Sequence, residues 1–407
     1  MYFLDTNILL NYVGDYERFG SFAISSVSIE ELERIKSDKY KSDDVKRRAR
    51  DATRWLLDNI GSYTVVLCTN SVIQSLRDKS LPDTPDNRII ACCKLVDDDV
   101  VFVSEDVGCL VVARSIFKFN CAHPSDNTEE YTGFLEVSLN DEEMAGFYEN
   151  LNKNLYNLLI NQYVLIKNSS GEIVDQYRWD GYKHQPIKIG NLKSDYFGSV
   201  KPYKGDIYQQ LALNSMMTNK VTMLKGKAGT GKSYLALGYL FYLMDKKKID
   251  RIICFCNTVA TINAAKLGYL PGDKDEKLLD SSIGNMLSAK LGGNCAVERL
   301  IDDGKLVLLP MSDIRGYDTT DMNAGVYITE AQNMDISLMK LALQRIGEDC
   351  ICIIDGDYNA QVDLASYAGY NNGMRRMSEV FRGQDFYGEV ELQNIYRSRI
   401  ANIAERM

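Results

Sequence analysis

The chain has 407 residues, 45% of them hydrophobic and 25% charged, with 29 glycines and 7 prolines; these are proportions of ordinary soluble domains and exclude disordered, collagen-like and low-complexity chains. At roughly 150 residues per domain the length predicts two or three domains, each able to bury its own core. Lys and Arg number 47 against 56 Asp and Glu, a net charge of −9, so any nucleic-acid surface has to be a local basic stripe inside an acidic whole.

The opening MYFLDTNILLNYVGD carries Asp5 and no basic segment, which does not read as a secretory signal and predicts a cytoplasmic protein. Residues 1–122 then alternate short apolar runs with helical stretches (YFLD, AISSVSI, a charged helix to Ile60, TVVLC, DNRIIACCKLV, VVFVS, CLVVARSIF). This βαβ rhythm predicts a parallel sheet covered by helices. Four acids fall at corresponding edges of that sheet: Asp5 in LDTN, Glu31 in EEL, Asp86 in DNRI and Asp106 in SED. Ligands of such folds gather beyond the carboxyl ends of the strands. Two carboxylates ~4 Å apart repel by about 4 kcal/mol at an effective dielectric of 20, so a cation is the expected remedy. Hard oxygen donors favour Mg²⁺ or Mn²⁺ over zinc, and such ions serve phosphodiester hydrolysis. Pro85 fixes the helix entry beside Asp86, whereas Glu30 competes with Glu31. Downstream, Lys39, Lys41, Lys46, Arg47, Arg48, Arg50 and Arg54 form either a stripe for a phosphate backbone or a solvated helix face.

LDTNILL, EEL, DNRII and SEDVG, in that order, resemble the PIN domain of ribonucleases over residues 1 to about 120. The resemblance favours Glu31 over Glu30 and implies a metal set of Asp5, Glu31, Asp86 and Asp106, with Asp5 and Asp86 catalytic.

Residues 123–200 open with the polar HPSDNTEE and continue as an Asn-rich helix and short β runs (YVLIK, IVDQYRW, HQPIKI), which predicts a linker and a small β-meander connector. Its Tyr163, Tyr177, Trp179 and Tyr182 either stack bases on an exposed surface or form the core of that sheet.

From residue 201 to 407 the βα rhythm returns in VTMLKG, RIICFC, KLVLLP, AGVYIT and CICIID, a second parallel α/β domain. The longest nearly continuous apolar run, Tyr234 to Met244, is about half of the ~20 residues a bilayer span needs and predicts a buried helix, with no membrane partner. Ten cysteines without CxxC spacing, among them Cys254, Cys256, Cys350 and Cys352 in strand-like runs, read as reduced core residues.

GKAGTGKS comprises Gly226, Lys227, Ala228, Gly229, Thr230, Gly231, Lys232 and Ser233; it fits G-x-x-x-x-G-K-[ST] between a strand and a helix. The glycines let backbone N–H groups curl around phosphate, Lys232 neutralises β/γ oxygens and Ser233 ligates magnesium, so ATP with Mg²⁺ is the expected ligand. Glu330, just past a buried strand in AGVYITEAQN, is placed to orient water beside the γ-phosphate. Asp355 and Asp357 end the CICIID strand.

GKAGTGKS, GYLPGDKDEK, EAQN and YRSRI occur in the order seen in PhoH-like ATPases, which are similar in their core to superfamily 1 helicases. The resemblance covers residues of about 200 to 407 and implies a RecA-like P-loop domain with Glu330 as catalytic base, Arg397 at the γ-phosphate, Gln209 as adenine reader and Gln361 as γ-phosphate sensor, in a stretch one residue longer than the family's GDxxQ. Two departures matter. Thr329 stands where the family has Asp; an alternative alignment gives that metal-supporting role to Asp355 but loses the register of EAQN. Asn257 and Thr258 replace an Arg-Pro pair, which puts the nucleic-acid contacts there in doubt.

Together the halves resemble fused PIN and PhoH-like proteins. The resemblance implies an ATP-dependent RNA-unwinding ribonuclease acting on single-stranded RNA, with DNA a further candidate. If Arg397 serves a neighbour's nucleotide, it implies a homo-oligomer, as a hexameric ring. The alternative is a nucleotide-switched RNA-binding or scaffold protein without nuclease activity, which Thr329 and the negative net charge favour.

Overall fold

The computed structural model describes residues 1–13, 16–41, 43–96, 99–124, 131–256, 282–357 and 372–396, in two compact units, Met1–Glu130 and Tyr131–Met407.

The first unit runs β1 (Tyr2–Leu4), α1 (Thr6–Asn11), β2 (Phe22–Ser25), α2 (Ser26–Ser37), α3 (Asp43–Asp58), β3 (Tyr63–Val66), α4 (Asn70–Asp78), α5 (Pro85–Cys92), β4 (Val101–Val103), α6 (Val107–Ser115) and β5 (Asn120–Ala122). Its strands pair in parallel in the order β3-β2-β1-β4-β5. Short apolar strands followed by polar N-caps explain the layout: Asp5, Ser25, Thr84 and Asp106 each accept a backbone N–H at the start of α1, α2, α5 and α6. Side-chain caps at these ends satisfy donors that the first helical turn leaves unpaired. The chain winds outward from β1 to β3 and then returns to β4 on the other side of β1. That reversal makes the C-terminal ends of β1 and β4 the switch point where such sheets bind ligands.

The second unit begins with β6 (Phe134–Ser138), α7 (Asp141–Glu149), β7 (Tyr163–Lys167), β8 (Ile173–Trp179) and β9 (His184–Pro186), followed by the hairpin of β10 (Leu192–Ser194) and β11 (Gly198–Val200). The small sheet β6-β7-β8-β9 is not a pure meander, because β6 and β7 are parallel. Helix α7 intervenes between them, and a parallel pair requires such a crossover. Tyr163 and Trp179 are buried, Tyr163 donating to Asn214 Oδ1 at 3.0 Å, and Tyr177 packs against Phe147; Tyr182 alone of the four is well exposed, at 85%. Core packing therefore corrects the base-stacking reading for Tyr163 and Trp179.

The main sheet follows: α8 (Ile207–Thr218), β12 (Val221–Lys225), α9 (Lys232–Asp245), β13 (Arg251–Cys256), α10 (Ser282–Leu291), α11 (Asn294–Asp302), β14 (Leu306–Pro310), β15 (Ala324–Ile328), α12 (Ile336–Leu343), β16 (Ile351–Gly356), α13 (Gly373–Phe381) and β17 (Tyr387–Glu391). Six parallel strands are ordered β14-β13-β15-β16-β12-β17. Both faces are covered, so the strands are nearly continuous apolar runs, with Cys254, Cys256, Cys350 and Cys352 buried and unbridged among them. Helix α9 is apolar almost all round and lies in the core. No helix among the described residues is long and apolar enough to cross a membrane.

Candidate active sites

Strand β12 delivers the chain to Gly226, Gly229 and Gly231, all at positive φ (135°, 88° and 94°), a conformation open to glycine at little cost. At Gly226 a Cβ would lie 2.6 Å from the Leu392 carbonyl, and at Gly231 one would lie 2.9 Å from Gln209 Nε2. Gly226 and Gly231 thus have no room for a side chain. It ends at the N-terminus of α9, where unpaired N–H groups and the helix dipole favour an anion. Lys232 Nζ folds back to donate to the carbonyls of Gly226 and Lys227.

A cavity of about 290 Å³ opens here, lined by Gly229, Lys232, Ser233, Glu330, Asp355 and Asp357 among others. The phosphate loop, the end of β15 and the end of β16 therefore share one space. Glu330 and Gln332 of EAQN and Asp355 line it together, at the ends of the neighbouring strands β15 and β16. Asp355 is buried; its Oδ2 accepts from Ser233 Oγ at 3.0 Å and Tyr327 Oη at 2.7 Å, and its Oδ1 from the Glu330 N–H at 3.2 Å. Glu330 sits in the left-handed region at φ 51°, uncommon for a residue with a Cβ and typical of functional sites. Its carboxylate accepts from Gln332 Nε2 at 2.6 Å, and Gln332 Oε1 accepts from the Asp357 N–H at 3.2 Å. Hydroxyl and carboxylate oxygens around Ser233 suit magnesium.

Gln209 is buried beneath the loop, donating to the Thr230 carbonyl at 2.9 Å and accepting from the Tyr203 N–H at 2.7 Å. Asp206, which caps α8, accepts from Tyr396 Oη at 2.6 Å, and the Tyr396 N–H reaches the Gly229 carbonyl at 2.9 Å. Arg397, Gln361, Asn257, Thr258 and the GYLPGDKDEK segment lie outside the described residues.

At the switch point of the first unit, Asp5 is 3% exposed and accepts from the Thr6 N–H at 2.7 Å, Asn7 Nδ2 at 2.9 Å and Ser104 Oγ at 2.7 Å. Burial raises its pKa from 3.8 to about 6 against the pull of those hydrogen bonds, and the charges of Asp86 and Glu31 push the same way. Glu31 accepts from Thr6 Oγ1 at 2.6 Å and Arg34 Nη2 at 3.1 Å. Asp86 lies in the first turn of α5. Asp106 Oδ1 accepts from the N–H groups of Gly108, at 2.7 Å, and Cys109, at 3.3 Å. The Cys109 thiol is pushed up by burial and then by the charges of Asp5, Asp106 and Asp86. Among the described residues, no three His, Cys, Asp or Glu side chains gather closely enough to hold a metal ion.

The basic stripe divides. Arg47, Arg50 and Arg54, spaced three and four apart on one face of α3, are exposed, as are Lys39 and Lys41. Lys46 pairs with Asp43 at 3.8 Å. Arg48 turns inward to Asn11 Oδ1 at 2.7 Å, and Asn11 in turn holds Glu105. Residue spacing alone did not single out Ser104, Asn7, Tyr327 or Gln332. The period of two along AGVYIT places Tyr327 and Thr329 on one face, the one available signal for Tyr327.

A parallel sheet with a glycine-rich loop and helix N-terminus at its switch point defines the second unit as a P-loop nucleotide-binding domain. The PhoH-like protein model matches residues 203–407 and the PIN domain model residues 2–116. The chain belongs to the PhoH-like protein family and carries a PIN domain at its N-terminus. It is similar to protein PhoH2 of Bacillus subtilis (strain 168), 27% identical over 99% of this chain and 98% of that protein, and to protein PhoH2 of Thermobispora bispora, 25% identical over 100% and 96%. A PhoH-like protein of Bacillus subtilis (strain 168) is 32% identical over 44% of this chain and 54% of its own length.

Proposed function

We propose that this protein is an ATP-dependent RNA-unwinding ribonuclease, in which a C-terminal ATPase motor serves metal-dependent cleavage by the N-terminal domain. The observation that carries the reading is the single cavity shared by the phosphate loop, Ser233, Asp355 and Glu330. In it the loop N–H groups and Lys232 would bind the triphosphate, Ser233 would hold Mg²⁺, and Glu330 would orient water at the γ-phosphate and take its proton. Gln332 fixes the Glu330 carboxylate. A bound magnesium supplies charge neutralisation to the phosphates.

In the PIN domain, Asp5, Glu31, Asp86 and Asp106 would hold Mg²⁺ or Mn²⁺, which supplies an activated water for phosphodiester hydrolysis. Asp5 fits a cation, since its burial, and after it the charges of Asp86 and Glu31, otherwise drive it to take up a proton. Exposed Arg47, Arg50 and Arg54 draw in the RNA backbone. Arg397 completes a neighbour's nucleotide site in a homo-hexameric ring.

Phosphate release with and without single-stranded RNA tests the motor. RNA should stimulate it, and Glu330→Gln should cut turnover at least ~100-fold with ATP still bound; undiminished turnover rejects the assigned base. For the nuclease, labelled RNA incubated with Mn²⁺ should be cut, and cutting that continues in Asp5→Asn rejects the quartet. A second reading, a nucleotide-switched RNA-binding scaffold without nuclease activity, is favoured by the commitment of Asp106 Oδ1 to capping α6. Intact RNA in that assay, with RNA-dependent ATP turnover preserved, would select it.

A further inference from the structure

The register that pairs Ile328 with Ile354 sets Thr329 and Asp355 on the next rung, side by side at the ends of β15 and β16. P-loop domains hold magnesium with the loop hydroxyl and a nearby strand-end carboxylate. The PhoH-like resemblance implies that carboxylate at the position of Thr329. Here the position is a hydroxyl, and the carboxylate stands one strand closer to the phosphate loop, because β16 lies next to β12 and β15 does not.

The surroundings of Asp355 are built for the exchange. It is 2% exposed, and its Oδ2 accepts from Ser233 Oγ and Tyr327 Oη. Thr329 lies two residues beyond Tyr327 on the same face of β15. Two hydroxyls therefore grip one carboxylate, with Thr329 on the adjoining strand end. A second carboxylate at Thr329 would sit one strand spacing away, about 4.8 Å, where like charges in a buried site repel. One of the two strand ends takes the acid and the other a hydroxyl. Asp355 Oδ1 meanwhile binds the N–H of Glu330, so the same side chain grips both the loop hydroxyl and the left-handed residue that carries the base.

We infer that Asp355 is the positioning carboxylate of the magnesium site, a role transferred from β15 to β16 in this chain, with Thr329 and Tyr327 as its hydroxyl supports. The inference rests on the reading of this cavity as a magnesium-nucleotide site.

Calorimetric titration of the full chain with a non-hydrolysable ATP analogue, with and without Mg²⁺, tests it. Mg²⁺ should tighten wild-type binding by about tenfold or more, and the gain should fall below about twofold in Asp355→Asn while metal-free affinity persists. The exchange variant Thr329→Asp/Asp355→Thr should recover the gain. A full magnesium gain in Asp355→Asn overturns the inference, and so does an exchange variant that does not regain it. If Asp355→Asn also loses metal-free binding, the exchange variant alone decides. A wild-type chain that binds no nucleotide in either condition counts instead against the proposed ATPase.

Discussion

Asp5 is held where a carboxylate is least comfortable, 3% exposed and near two other acids. Its pKa of about 6, against 3.8 in the unfolded chain, means that folding takes up a proton between those values. The raised value therefore destabilises the ionised form: without a cation, stability falls as pH rises from about 4 to about 6 and is level above. A shift of that size corresponds to about 3 kcal/mol. Asp5→Asn, which removes the charge and keeps an acceptor for the Thr6 N–H, should raise the denaturation midpoint of the first unit at pH 7 and leave it unchanged near pH 3.5. Chemical denaturation at the two pH values, in chelator, reads the difference; equal shifts at both would show that the buried charge is not the cause. Such a residue is kept against its stability cost, as sites built for a bound cation are.

At the scale of elements, the phosphate loop is braced from its own strand. Lys225, the last residue of β12, pairs with Glu389 of β17 at 2.7 Å, both side chains almost wholly buried at 5% and 0% exposure. Glu389 also accepts from Ser378 Oγ at 3.0 Å and Tyr387 Oη at 2.8 Å. Removing one partner leaves a buried charge uncompensated, so Glu389→Ala should cost about 3–5 kcal/mol, measured as a lower urea midpoint of the second unit. On the loop itself, Gly231→Ala meets both a positive φ and the Gln209 amide 2.9 Å away. It should lose about 1–2 kcal/mol from the backbone and weaken nucleotide binding in the same titrations, whereas Ala at exposed Gly190, with open space around it, should leave binding unchanged.

For the whole molecule, the described cores of the two units are separate. Phe3, Ala23 and Phe102 belong to one cluster, and Leu224, Tyr327 and Ile353 to another. Residues 131–200 belong with the second unit: Asn161 Nδ2 reaches the carbonyls of Asp385 and Tyr387 at 3.0 Å, and the Glu391 N–H donates to the Thr132 carbonyl at 2.9 Å, along the edge strand β17. Ligand stabilisation should follow the same division. A magnesium-nucleotide analogue at 100 times its Kd should raise the thermal transition of the second unit by about 2.7 kcal/mol of stability and leave that of the first in place, with Mn²⁺ alone doing the reverse. Calorimetric scans resolve the two, and a common shift with either ligand would contradict separate sites.

What the sequence by itself determined was local chemistry. The phosphate loop, the buried α9 helix, the parallel βα rhythm of both halves and the positions of Asp5, Glu330 and Ser233 at strand or helix ends all depend on neighbours within a few residues, and spacing encodes such neighbours directly. What the tertiary structure decided was which distant ends meet. Asp355 came within 3.0 Å of Ser233 because β16, far along the chain, lies beside β12. Arg48 turned from a presumed phosphate face toward Asn11 because α3 packs its inner side on α1. The parallel β6–β7 pair, the burial of Tyr163 and Trp179, and the hydrogen bonds of Tyr327 and Gln332 were hidden for the same reason. Strand order and helix rotation are set by the burial of the whole apolar surface, and no window of sequence carries that sum.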